Sequence, residues 1–364
     1  MIERLHRSGV EVIECHERLW YGIEDRVQAA RGGLFTPSFL WRVLCTYYRL
    51  IQRYKLVGDY DVLLVGYPGQ LDVLLARLLS WKRRKPLVWD ILMSIYLIAL
   101  DRGIPERLLS MKLIRWLEQI ACHLPDLLIL DTQAYVAWFQ STYGVSPDHF
   151  RLVPLGADDS LFKPIVSNAR AHSNVFRVIY YGTFIPNHGV QYIVEAARLL
   201  AEDTDIQFEL IGIGPDREQA VDQAKRHGLT NITFVDWLDQ AELVEWLSRA
   251  DVCLGSFGLA HQSMITVHNK IYEGLAMGKP VITGDSPAVR ELFQHGKHVY
   301  LCKRGDAQSL AESIRVLHKE KDLCQSLSRQ GYAYFQECFS MGSLSLVLQQ
   351  HLTELVNKPT ISMA

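Results

Sequence analysis

The sequence predicts an α/β protein made of two doubly wound domains, each a parallel sheet covered by helices. Three observations carry that expectation. Short apolar, β-branched runs alternate with helix-period stretches along most of the chain. One polar segment, 156–174, interrupts the alternation and reads as a linker, and 364 residues suffice for two domains of ordinary size.

The second half states the pattern most fully. Arg177–Ile185 is an apolar and aromatic run closed by Gly and Pro, the mark of a buried strand. Gly189–Glu202 follows with Val190, Ile193, Val194, Ala197 and Leu200 on one helical face. Strands are then expected at Ile206–Gly212, Asn231–Val235, Val252–Gly255, Pro280–Thr283 and Val299–Cys302. The intervening helices are Pro215–His227, Gln240–Arg249, Asn269–Met277, Ala288–Gln294 and Ala307–Glu320. Continuous apolar strands joined by helices imply a parallel sheet buried on both faces.

In the first half, strands are expected at Val10–Cys15, Asp61–Gly66, Leu87–Asp90, Leu127–Asp131 and Phe150–Pro154. Helices are expected around Phe39–Tyr54, Gln70–Trp81, Glu106–Ala121 and Ala134–Tyr143, and Gly331–Val356 reads as one long helix. A Rossmann-like half opens with a strand and a Gly-rich turn. This chain opens in the helical stretch MIERLHRSG, so either the first strand of that domain is missing or the true start lies upstream.

Composition narrows the function classes. Apolar residues make up 49% and charged residues 21%, and a net charge of -2 gives no bulk attraction to nucleic acid. The seven cysteines are scattered without CxxC spacing, which suits a reducing compartment and offers no zinc site. The longest apolar run, Ile91–Leu100, is too short for a membrane span, and the N-terminus has no signal-peptide core. A soluble, cytoplasmic protein is expected.

Ligands of open parallel sheets bind beyond the carboxyl ends of the strands. There the sequence places Thr183, Phe184, Pro186, Asn187 and His188, then the turn Gly212-Ile213-Gly214, then a polar loop 256–268 leading into a helix near Asn269. A helix N-terminus reached by such a loop suits phosphate. Lys270 adds a cation on its first turn, and Glu273, three residues on, could accept two ribose hydroxyls. Singly these are common features: GxG is usually only a tight turn, and a helical Lys or Glu is usually a surface charge. Their combination with the turn Gly-Lys-Pro and the strand VITGD is far rarer.

NKIYEGLAMGKPVITGD resembles the signature of retaining glycosyltransferases of the GT4 type, also described as glycosyl transferases group 1, which have the GT-B fold. RLVPLGADDSLFKP, YYGTFIPNHGVQYIVEAARLL, FELIGIGP, NITFVDWL and RADVCLGSF resemble further segments of that family in its order. The resemblance implies two Rossmann-like domains facing across a cleft. Residues 1–160 would be the acceptor domain, with a last helix 335–356 packing back on it, and 170–334 the nucleotide-sugar donor domain. It also implies that Glu273 binds the donor ribose, and that Lys270, with Gln262 and Ser263 in the loop before it, lies near the diphosphate. Trp237 and Leu238 would lie beside the base, and Gly182, Thr183 and Gly212 would line the cleft floor.

Three departures stand out. Relatives carry a Glu contacting the transferred sugar where this chain has Ile265. Phe184 and His188-Gly189 occupy the places of an Arg and a Lys-Gly that neutralise the diphosphate, and the N-terminal Gly-rich loop is absent. His188 would replace part of the lost charge only if protonated, and a neutral, hydrogen-bonding ring is expected.

In the first half, Asp90 ends the strand LVWD where relatives place a His or Asp facing acceptor and sugar. A strand-end Asp equally caps a following helix, so both readings stay open. Tyr67 and Gln70 could line the acceptor side, while Asp131-Thr132 reads as a helix cap. The basic, aromatic stretches Trp41–Lys55, Trp81–Lys85 and Lys112–Trp116 would serve peripheral contact with the inner membrane face, and equally fit snorkelling side chains on packed helices.

The function implied is transfer of a sugar from a nucleotide-diphosphate donor to a saccharide or lipid-linked hydroxyl acceptor, in polysaccharide or glycoconjugate biosynthesis. Lys270 and Asp90 would be the catalytic candidates. No acidic cluster suggests a metal, so no cofactor is expected and the helix N-terminus with Lys270 would stabilise the leaving diphosphate. A nucleotide-sugar epimerase and a non-catalytic binding or partner subunit on the same fold are the alternatives.

Overall fold

The computed structural model describes residues 1–19, 36–165 and 175–357, so residues 166–174 of the expected linker lie outside it. The chain divides into two compact units: Met1–Leu130, Val136–Val153 and Ser345–Ala364 form the first, Asp131–Tyr135 and Pro154–Leu344 the second.

In the first unit, α1 (Ile2–Arg7) and α2 (Pro37–Tyr54) precede β1 (Leu63–Val65). Then follow α3 (Asp72–Arg83), β2 (Leu87–Asp90), α4 (Ile95–Asp101), α5 (Leu109–His123) and β3 (Leu127–Leu130). Helix α6 (Gln133–Tyr143) leads to β4 (Phe150–Leu152). The four strands lie in sequence order and are all parallel. Alternation along the pleat sends Val88 and Ile129 to one face, where they bury against Leu5 of α1 and against Leu348 and Leu352 near the C-terminus.

In the second unit, β5 (Phe176–Tyr181), α7 (Val190–Leu199), β6 (Ile206–Ile211), α8 (Arg217–Arg226) and β7 (Ile232–Val235) come first. Next are α9 (Gln240–Ser248), β8 (Val252–Leu254), α10 (His261–Ile265), α11 (Asn269–Ala276) and β9 (Val281–Gly284). Helix α12 (Pro287–Leu292), β10 (Tyr300–Cys302), α13 (Ala307–Lys319) and α14 (Lys321–Cys338) complete the order, and α15 (Met341–Asn357) belongs from Ser345 onward to the first unit. Strand order is β10-β9-β8-β5-β6-β7, every pair parallel. One core layer buries Val178, Tyr180, Phe208 and Leu254 under α7 and α13; the other buries Ile179, Tyr181 and Cys253 under α11 and Phe335 of α14. The order reverses between β5 and β8, and a crevice opens at such a switch point.

Four expectations need correction. Val10–Cys15 is no strand: it has no ladder partner among the described residues, and only Val10 and Val12 turn partly inward against the first core. Ile95–Asp101 is a helix the sequence reading missed, because its unbroken apolar run hides the period; Ser94 starts it by accepting from the Leu97 N–H. The loop 256–268 contains α10, whose Gln262 and Ser263 are buried. The long C-terminal helix is two, because Phe339 leaves the helical path to pack on Tyr272 and Phe293 while Ser340 caps the next helix through the Ser343 N–H.

Candidate functional site

At the carboxyl end of β5 the backbone turns through Gly182, with φ of 129°, beside Gly212 at the end of β6, with φ of 138°. A Cβ on Gly212 would meet the Gly182 carbonyl oxygen at 2.1 Å. Only glycine therefore lets these two strand ends lie together. A Cβ on Gly182 would stand 3.3 Å from the Lys270 ammonium, so the backbone there faces Lys270 directly.

Lys270 projects from the first turn of α11 and is only 5% exposed. Its Nζ donates to the Tyr180 hydroxyl at 3.4 Å and lies 4.4 Å from the centre of that ring. A cation–π contact of this kind returns about 1–2 kcal/mol to a desolvated ammonium. Burial pushes the Lys270 pKa down to about 7, partly opposed by the nearby Glu273 carboxylate. Glu273, half-buried one turn on, is itself pushed up by burial and held down by the Tyr181 hydroxyl and by Lys270. Tyr181 donates to the Lys270 carbonyl at 3.0 Å, tying β5 to the first turn of α11.

The expected flanking cations are replaced by neutral groups. His188 Nδ1 lies 2.5 Å from the Thr183 carbonyl oxygen and 3.0 Å from the Tyr180 hydroxyl, geometry that places the proton on Nδ1 and leaves Nε2 as an acceptor. Burial first, and Lys270 second, hold His188 well below the ordinary histidine range, so the ring is neutral as expected. His268 packs edge-on to it at 5.1 Å and bonds Ser256 Oγ at 2.9 Å. It too is pushed well down, chiefly by burial. Phe184 is fully buried against Tyr180 and Phe234.

The loop before α11 is tied to this turn. Ser263 Oγ donates to the Asn187 carbonyl at 2.7 Å, and Asn187 Nδ2 donates to Gln262 Oε1 at 3.2 Å. Gln262 and Ser263 thus hold the 186–188 turn against α10. Leu238 packs into the core while Trp237 is exposed at 61% beyond the end of β7. In one unit the structure gathers Gly182, Thr183, His188, Gly212, Gln262, Ser263, Lys270 and Glu273. Sequence reasoning missed Tyr180, Tyr181, Ser256 and His268, which read as strand and loop filler until the fold brings them to Lys270.

The first-unit candidates fare differently. Asp90 ends β2 half-buried, its pKa pushed up to about 6 by burial and partly held down by the charges of the Met1 amino group and Arg4. It caps no helix, since Ser94 fills that role. Tyr67 is half-buried on the loop after β1. Gln70 turns inward instead of lining a surface: it is buried and its Nε2 donates to Glu118 at 2.9 Å, because Glu118 is a fully buried carboxylate that needs donors. Ser94 Oγ, Tyr143 Oη and the Ile95 N–H supply the rest at 2.5, 2.6 and 2.9 Å. In the second unit, Thr132 is a cap as expected, accepting from the Tyr135 N–H at 3.2 Å, and also donates to the Ile265 carbonyl at 2.6 Å. No group of three metal-ligating side chains occurs among the described residues, and none of their helices is long and apolar enough to cross a membrane.

Two parallel α/β sheets, with a lysine on the first turn of a helix and a carboxylate one turn on, beside the second sheet's switch point, define a GT-B fold protein. Residues 175–320 match the model of the family described as Glycosyl transferases group 1. Curated relatives include the amylovoran biosynthesis glycosyltransferase AmsK of Erwinia amylovora, 26% identical over 50% of this chain and 42% of its own length. The phosphatidyl-myo-inositol mannosyltransferase of Mycobacterium leprae is 29% identical over 38% of this chain and 36% of its own. The chain thus spans less than half the length of these relatives. Among solved structures, Anabaena HepE in complex with UDP superposes with a TM-score of 0.68 at 18% identity, covering 84% of this chain and 82% of that one. Sucrose-phosphate synthase of Thermosynechococcus elongatus gives 0.69 at 19% identity over 88% and 80%. These likenesses establish the fold.

Proposed function

We propose that the protein is a retaining glycosyltransferase that moves a sugar from a nucleotide-diphosphate donor to a hydroxyl acceptor in polysaccharide or glycoconjugate assembly. The observation that carries the reading is Lys270: a buried ammonium on the first turn of α11, facing the bare backbone of Gly182, with Glu273 one turn behind it. A diphosphate laid on Gly182 would meet the ammonium and the free N–H groups of the helix end, and its ribose hydroxyls would reach Glu273. Charge building on the leaving diphosphate would be stabilised there by fixed groups, without a metal. Trp237 offers an exposed ring for the base. The relatives' names, and the binding of UDP by the Anabaena protein, support a nucleotide sugar as partner. Asp90, Tyr67 and peripheral membrane contact belong to the acceptor side of this proposal.

The test is thermal stabilisation by UDP, GDP and ADP, followed by turnover of the matching nucleotide sugars. Stabilisation of several degrees by one nucleoside diphosphate is expected. No response to any of the three would remove the reading. Binding without turnover would favour a non-catalytic subunit, an outcome motivated by Ile265, whose buried apolar side chain supplies no carboxylate.

A further inference from the structure

A separate cavity of about 450 Å³ lies in the second unit, beyond the ends of β9 and β10. Leu259, Met264, Asp285, Arg290, His295 and Arg304 line it. Its polar groups are unbalanced. Arg304, 7% exposed, donates to three backbone carbonyls, those of Asp285, Gly258 and Gly284, at 3.2, 3.1 and 3.0 Å. Those bonds fix the guanidinium plane without neutralising it, and the fork has more N–H groups than they use. Asp285 is the acidic residue among the lining side chains, and both its oxygens are taken by Arg290 at 2.6 and 2.7 Å. His295 Nδ1 accepts the Leu301 N–H at 2.9 Å, which puts the proton of a neutral ring on Nε2. The one lining carboxylate is spent on Arg290, Arg304 is bonded only to backbone carbonyls, and the ring adds a donor.

We propose that this cavity is a second anion site, apart from the Lys270 cradle, that takes a small molecule bearing one phosphate or carboxylate against Arg304 and Arg290. Leu259 and Met264 form its apolar wall. The volume accommodates a monosaccharide-sized body behind the charged group. The site also touches the nucleotide region from behind: Met264 is on α10, whose Gln262 and Ser263 hold Asn187 on the other side. An occupant bears on the same short helix as a bound nucleotide.

Calorimetric titration of the full chain with glucose 6-phosphate, glucuronate and inorganic phosphate, each with and without saturating UDP, tests the site. Binding of glucose 6-phosphate or glucuronate that persists with UDP is expected, and the stronger of the two identifies the anion. Arg290→Gln and Leu259→Trp, both at exposed positions, should each weaken it roughly tenfold or more while leaving UDP binding unchanged. Displacement by UDP, equal binding in both variants, binding of inorganic phosphate alone, or no binding at millimolar concentration would each overturn the proposal. Lys270→Gln, which tests the nucleotide cradle, should leave the second site intact, so the two readings fail separately.

Discussion

The Lys270 ammonium lies 3.4 Å from the Tyr180 hydroxyl and over the face of the same ring, with neutral His188 on the hydroxyl's other side. Among the described residues the lysine has no close ion-pair partner, so its charge remains available to an incoming anion. Lys270→Gln should weaken UDP binding by roughly tenfold to a hundredfold, the loss of a charge-assisted bond, while the melting temperature holds or rises. Unchanged UDP affinity by calorimetry would take Lys270 out of the site.

The same burial makes binding depend on pH. Lys270 titrates near 7 in the folded chain against 10.5 for an ordinary lysine. Between those values the unfolded chain holds a proton the folded chain has released, so stability rises with pH across the window. A diphosphate favours the ammonium, so binding above pH 7 takes up a proton and weakens by up to roughly tenfold per pH unit. His188, His268, Tyr180 and Glu273 face the same space, and both histidines are held neutral there. UDP affinity measured at about pH 7, 8 and 9 should fall in the wild type and stay flat in Lys270→Gln; a flat wild-type profile would contradict the linkage.

Gly212→Ala sets a Cβ 2.1 Å from the Gly182 carbonyl at a positive φ. The strained backbone alone costs about 1–3 kcal/mol, and the clash must also move the Gly182 turn. A clear drop in melting temperature together with weaker UDP binding is expected. A variant that melts like the wild type would show that the two strand ends are not in contact.

In the first unit, Glu118→Ala leaves Gln70, Ser94, Tyr143 and the Ile95 N–H without their acceptor. Leaving a buried donor unsatisfied in such a network costs about 1–3 kcal/mol. Chemical denaturation should read a loss of that size, and a loss below about 1 kcal/mol would mean water replaces the carboxylate.

The strand and helix periods, the glycines at strand ends and the spacing of Lys270 and Glu273 are local properties, and the sequence by itself determined them. It therefore yielded the two α/β units and many of the residues that gather around Lys270. Its errors fell where local pattern is silent. Val10–Cys15 has strand-like alternation, but whether a run becomes a strand depends on a neighbour to pair with. Gln70 has a polar side chain, but which way it points depends on a buried carboxylate 48 residues along the chain. The tertiary structure alone decided that Tyr180, Tyr181, Ser256 and His268 gather around Lys270, and that Arg304 and Arg290 line one cavity. Burial and long-range pairing set those charges, because the cost of desolvation belongs to a place in the fold and not to a residue type.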